Sequence, residues 1–180
     1  MCEGDNVEDP IQSMPGVNRY SIDKLLHRVE DAVRLSIPAI AIFPQIDTEL
    51  KNAEGSLAVD ENNLVCRSIK SIKKEFSEIG IICDVALDPF TNHGHDGLVI
   101  DNKIDNDKTL EILEKQALVQ VSAGCDVIAP SDMMDGRVGR IRKFLDNNNF
   151  QDTLILSYAA KYASGFYGPF RDCLLYTSDA

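Results

Sequence analysis

An amphipathic stretch followed by a short apolar run recurs along this chain, and that order limits the folds open to it. Residues 21–35 place Ile22, Leu25, Leu26, Val29, Ala32 and Val33 at three- and four-residue spacing behind Ser21, which predicts a helix with Ser21 as its N-cap. Residues 37–43 read as a buried strand, with Pro38 tolerable near its start. A second helix pattern covers residues 62–79, with Val65, Ile69, Ile72, Phe76 and Ile79 on one face and Gly80 as a left-handed cap. Residues 81–87 then form a strand. The third helix is expected to start at Asp107 or Thr109, to carry Leu110, Leu113, Ala117, Leu118 and Val121, and to close at Gly124. A strand at 126–129, a helix at 135–146 and a strand at 153–158 complete the series. Such alternation implies parallel strands joined by crossover helices. The fold is α/β, either a doubly wound sheet or a piece of a (β/α) barrel. No glycine-rich turn follows the first apolar strand, where Phe43-Pro44-Gln45-Ile46-Asp47 stands, so a nucleotide-binding doubly wound sheet is disfavoured. In either fold the chemistry belongs at the carboxyl ends of the strands.

Charge narrows the functions. Among 180 residues, 29 acidic against 18 basic side chains leave a net charge of −11, and 44% apolar residues are enough for a core. Neither a phosphate backbone nor an anionic membrane surface attracts such a chain. The apolar runs fall far short of the ~20 residues that span a bilayer, and residues 1–10 are acidic and polar, unlike a secretory signal. Cys2, Cys66, Cys83, Cys125 and Cys173 are widely spaced without a CxxC pair, which favours reduced thiols over disulfides or a zinc knuckle. A single acidic domain of the cytoplasm is expected.

The strand ends carry the residues with chemical potential. In Asp84-Val85-Ala86-Leu87-Asp88, strand alternation would put both carboxylates on one face. With His93, His95 and Asp96 nearby, they could hold a hard cation or form an acid/base cluster; Asx-turns and solvent-facing histidines fit the same residues. Lys161 follows an apolar strand among small and aromatic residues, where a desolvated amine could attack a carbonyl and form a Schiff base. A lysine snorkelling to water is the plainer alternative. Arg171, behind Phe166-Tyr167-Gly168-Pro169-Phe170, could fork onto a carboxylate or simply pair with Asp172. In the Ser131–Arg137 loop, Ser131 is the better ligand candidate and Asp135 a helix cap.

These stretches together resemble one family, porphobilinogen synthase, also called 5-aminolevulinate dehydratase. The resemblance is carried by Ser13-Met14-Pro15-Gly16-Val17, by the run from Asp84 to Gly97 (DVALDPFTNHGHDG), by Ala129 to Arg137 (APSDMMDGR) and by Ser157 to Asp172 (SYAAKYASGFYGPFRD). It implies a (β/α)₈ TIM barrel and a lyase that condenses two molecules of 5-aminolevulinate to porphobilinogen, with loss of water, on the route to haem. Two barrel lysines bind the two substrate ketones as Schiff bases in that family, and Lys161 matches the first. Asp84, Ser131, Tyr167, Phe170 and Arg171 match substrate-contacting positions. Where zinc-type members carry three cysteines, this chain has Ala86, Asp88 and Asp96. Catalytic zinc is therefore not expected. The resemblance points instead to the branch that uses magnesium or a monovalent cation, with no organic cofactor and with Asp88 and Asp96 as active-site carboxylates left to hold a hard cation or water. Family members assemble as homo-oligomers, typically octamers; no nucleic acid or membrane partner is implied.

The chain carries about the second to the fifth strand-helix units of that barrel, within residues 1–173; residues 174–180 do not resemble the family. A complete barrel needs roughly 200–250 residues, so the expectation is a fragment with little or no activity of its own, prone to aggregate through open sheet edges. Two other readings share some residues. A different Schiff-base lyase or aldolase would use Lys161 with another carbonyl substrate, and a non-catalytic module would bind a cation without a reactive lysine.

Overall fold

The computed structural model describes residues 1–162. The chain opens with a small antiparallel pair, β1 (Glu8–Pro10) and β2 (Asn18–Tyr20), followed by α1 (Ile22–Arg34) and β3 (Ala39–Ile42). Two short 3₁₀ turns lead to α2 (Leu64–Glu75) and β4 (Gly80–Val85). A second small hairpin, β5 (Val99–Ile100) and β6 (Lys103–Ile104), precedes α3 (Asn106–Ala123), β7 (Val127–Pro130), α4 (Arg137–Asn147) and β8 (Leu154–Ile155).

The main sheet has four parallel strands in the order β3-β4-β7-β8, the order of the chain itself. Right-handed crossovers in one direction place every helix on the same face. The helices accordingly pack side by side, α1 on α2, α2 on α3 and α3 on α4. A doubly wound sheet would reverse direction and cover both faces; this one does not. Burial along β4 follows from that. Ile81, Cys83 and Val85 are buried, while Gly80, Ile82 and Asp84 alternate onto the less covered face. Ile69, Ile72, Leu113, Ile128, Ile141 and Leu145 close the core between sheet and helices.

Several local expectations shift. Gly80 is not a helix cap: α2 ends at Phe76, and Gly80 opens β4 against β3, where an added Cβ would lie 3.1 Å from the Ala39 Cβ and 3.2 Å from the Pro38 carbonyl. Close strand approach, not a left-handed turn, is what this glycine serves. Gly124 does close α3, at φ 114°. The cap that opens α3 is Asp105, whose carboxylate accepts the Lys108 N–H at 3.0 Å, not Asp107 or Thr109. Gly136, not Asp135, stands at the N-cap of α4. Ser21 occupies the N-cap of α1, but its hydroxyl serves the Val7 N–H (2.8 Å) and Asp23 instead of the helix. The 37–43, 81–87 and 153–158 strands are shorter than their apolar runs and the 126–129 strand is shifted by one residue; beyond β4, Ala86 and Leu87 are buried in a turn and not in the sheet.

Cys2, Cys66, Cys83 and Cys125 are buried free thiols, and burial pushes the Cys66 thiol up to about 11. They are core residues and inert. Among the described residues no helix is long and apolar enough to cross a membrane. Cys173 and the 174–180 tail lie outside the described residues.

Candidate active site

Side chains from three strand ends converge at the carboxyl edge of the sheet. Asp84 comes from β4 itself. Asp88 does not share a strand with it, since β4 stops at Val85 and a turn follows in which the Leu87 carbonyl accepts the N–H groups of Phe90 (2.8 Å) and Thr91 (2.9 Å). That turn, not strand alternation, brings the Asp88 carboxyl within electrostatic reach of Asp84. Asp96 returns on the following loop, which is held by the Thr91 hydroxyl donating to the His95 carbonyl at 3.0 Å. Ser131 continues β7, its N–H donating to the Val85 carbonyl at 3.3 Å. Lys161 arrives from beyond β8 and donates its ammonium to the Ser131 carbonyl.

The site therefore sets one ammonium among three carboxyls. Burial raises the Asp88 carboxyl to about 8, helped by the charges of Asp96 and Asp84 and opposed by Lys161. Asp96 is raised as well, first by burial, with Lys161 and the hydrogen bond from Asp88 pulling it back. Asp88 and Asp96 are thus a carboxyl pair around a shared proton. Burial lifts Asp84 to about 6, while a hydrogen bond to Ser131 and the Lys161 charge restrain it. Its Oδ1 is buried with no hydrogen-bond partner among the described residues. Two carboxyls with separated pKa values straddle neutrality, so one keeps its proton where the other has lost it.

The loop after β3 adds a second cation. It is pinned beside the Asp88 turn by a bridge between Asn52 and Thr91, with the Asn92 N–H donating to the Asn52 carbonyl at 3.1 Å. Lys51 sits next to this bridge; burial lowers its pKa and the Asp88 carboxylate raises it. Nothing local in the sequence signals Lys51, because the contact depends on two loops meeting.

His95 lies within electrostatic reach of Asp96, while His93 turns to the neighbouring loop. His93 contacts the Ala53 carbonyl at 3.3 Å, and the two rings lie 5.4 Å apart. Among the described residues no group of three His, Cys, Asp or Glu side chains could hold a metal ion. The described arrangement is that of an acid/base cluster, a proton-sharing pair plus a lysine. Its donor set does not fit a zinc centre, since the described thiols are buried in the core.

Beside Ser131, Asp132 is fully buried, accepts the Met134 N–H at 2.7 Å and faces Arg137. Burial raises its carboxyl to about 6 against the pull of that N–H and of Arg137. Asp132 and Arg137 lie in the 129–137 stretch, where nothing local in the sequence marks the pair they form. Tyr167, Phe170 and Arg171 lie outside the described residues.

The fold and this edge define an α/β protein with an amine-and-carboxyl site at the carboxyl ends of parallel strands. The family model for delta-aminolevulinic acid dehydratase matches residues 1–179. A Bradyrhizobium diazoefficiens protein of that name is 58% identical over 174 residues, covering 97% of this chain and 49% of its own length. The Chlamydia pneumoniae protein is 44% identical over 171 residues, covering 95% of this chain and 52% of its own. The crystal structure of the Toxoplasma gondii enzyme, in complex with the reaction product porphobilinogen, superposes with a TM-score of 0.94 at 43% identity, over 99% of this chain and 51% of that one. The chain belongs to the delta-aminolevulinic acid dehydratase family. It spans about half the length of these relatives.

Proposed function

We propose that this chain carries the first substrate-binding half of a porphobilinogen synthase, with Lys161 as the amine that captures a 5-aminolevulinate ketone. The observation that supports it is Lys161 held on the Ser131 carbonyl among Asp84, Asp88 and Asp96. Capture needs a neutral amine, so the ammonium passes a proton to Asp84, which is ionised at neutral pH. Lys161 Nζ then forms a bond to the ketone carbon as the C=O π bond opens, and the oxygen takes up the proton the nitrogen gives up, leaving a carbinolamine. Asp88, still protonated at neutral pH, gives its proton to the carbinolamine hydroxyl, which leaves as water as the imine forms. The protonated imine withdraws electrons and acidifies the adjacent C–H for bond formation with the second substrate. Ser131 is a substrate contact in this reading, and Tyr167, Phe170 and Arg171 are assigned the same role.

The single direction of the strand order supports a (β/α)₈ barrel of which β3, β4, β7 and β8 are four successive strands. The remaining strands, the second Schiff-base lysine and the octameric assembly belong to a longer protein, as does any requirement for magnesium or a monovalent cation. Cytoplasmic location fits the acidic composition.

Substrate choice separates this function from another Schiff-base lyase or aldolase. In a thermal-shift series, 5-aminolevulinate is expected to raise the melting temperature, while pyruvate and dihydroxyacetone phosphate at the same concentration leave it unchanged. A shift with those two and none with 5-aminolevulinate would assign the lysine to the other chemistry.

A further inference from the structure

β8 is only two residues long, and the chain loses its sheet partner after the Leu156 N–H donates to the Ile128 carbonyl at 2.9 Å. Something else must hold the stretch that carries Lys161. Among the described residues, two hydrogen bonds tie 157–162 to the rest of the chain. One is made by Lys161 itself, to the Ser131 carbonyl. The other comes from Arg137, whose Nη2 donates to the Tyr158 carbonyl at 3.2 Å.

Arg137 is built for that contact. Its Nη1 donates to the Met134 carbonyl at 3.1 Å, and its Nε lies 3.5 Å from Oδ2 of the fully buried Asp132. The guanidinium therefore spans the Ser131 loop and the Lys161 segment with one rigid plane, which lysine could not do. Its position is otherwise unfavourable. Arg137 is the first residue of α4, where a cation opposes the helix macrodipole, and Gly136 before it supplies no side-chain cap. A residue that weakens its own helix start while crossing to another strand end is explained by what it holds there.

We propose that Arg137 is a positioning residue that clamps the Lys161 segment onto the Ser131 loop and so fixes the lysine amine against the acidic cluster. The clamp is a property of the fold; its catalytic consequence rests on the proposed role of Lys161.

The test uses the 180-residue chain with Arg137→Ala and, as a control, Arg140→Ala, whose guanidinium pairs with Glu114 on α3 away from the site. Amide hydrogen exchange needs no substrate. In Arg137→Ala the exchange at 156–162, read at the Leu156 amide that its bond to the Ile128 carbonyl protects, is expected to rise at least about tenfold, the size expected for losing a charged donor, with β4 and α3 unchanged. Borohydride trapping of 5-aminolevulinate on Lys161 should slow by a similar factor and recover with added guanidinium, whereas Arg140→Ala traps like wild type. Unchanged exchange at 156–162 overturns the clamp, as does an increase shared by β4 and α3. Slowed trapping that guanidinium does not restore overturns the positioning role. If the wild type shows the expected exchange but no adduct, the clamp stands and the role given to Lys161 falls.

Discussion

No measurable porphobilinogen is expected from the purified 180-residue chain supplied with 5-aminolevulinate. The proposed reaction joins two substrates, each held by its own lysine, and Lys161 is the position of this chain assigned to such a role. The sheet also has two outer strands, β3 and β8, each with a neighbour on one side only among the described residues. An open parallel sheet leaves strand edges and a partly covered face exposed to water, where association competes with catalysis. Leu154 and Leu156, 65% and 50% exposed, mark that edge. The loss expected is complete, not graded, because one capturing amine in place of two removes a step of the proposed reaction and not merely an interaction. A colorimetric assay for the pyrrole product decides it. Product formed by wild type and not by Lys161→Met would show that a second amine is available, for example from a second copy of the chain.

The Asp88–Asp96 pair predicts an unusual pH dependence of stability. Asp88 has its carboxyl raised to about 8, from about 3.9 in an unfolded chain, so the folded state binds that proton more tightly. Its contribution is fully present below about pH 4 and is lost as pH rises through about 8. Asp84 and Asp132, each raised to about 6, act in the same direction over a lower window. Wild type should therefore melt at a lower temperature at pH 8 than at pH 5. Asp88→Asn keeps the shape, needs no proton, and should stabilise the chain at pH 8 by on the order of 3 kcal/mol, counting the shared proton once. That corresponds to roughly 6–12 °C for a chain of this size. At pH 5 the same variant should differ from wild type by less than about 1 kcal/mol. The exposed Glu54→Gln change controls for relief of the overall negative charge. Melting temperatures across this range check it; a wild type that becomes more stable toward pH 8 contradicts the proton-sharing pair.

The core was legible because its signals are local. Helical spacing placed Val65, Ile69 and Ile72 on one buried face, and Gly124 announced the end of α3. Gly80 was misread because a glycine behind a helix pattern has two uses, a left-handed cap or a close approach between strands, and only the neighbouring strand decides between them. The hairpin of β5 and β6 escaped notice although Asp101 and Asn102, with φ of 50° and 59°, are the residue types a tight primed turn selects. The site was legible in its membership more than its geometry. Asp84, Asp88, Asp96, Ser131 and Lys161 were all named, yet the pairing of Asp88 with Asp96 depends on a turn that alternation does not describe. Lys51 and Arg137 act across loops far apart in sequence, and no periodicity reports such meetings.

Treating the chain with 5-aminolevulinate and borohydride, then measuring intact mass and mapping the modified peptide, with a thermal melt on the same sample, decides whether Lys161 is the capturing amine. One substrate-sized adduct is expected, on Lys161. A chain that melts cooperatively and carries no adduct, or carries it on Lys51 or another lysine, would contradict it.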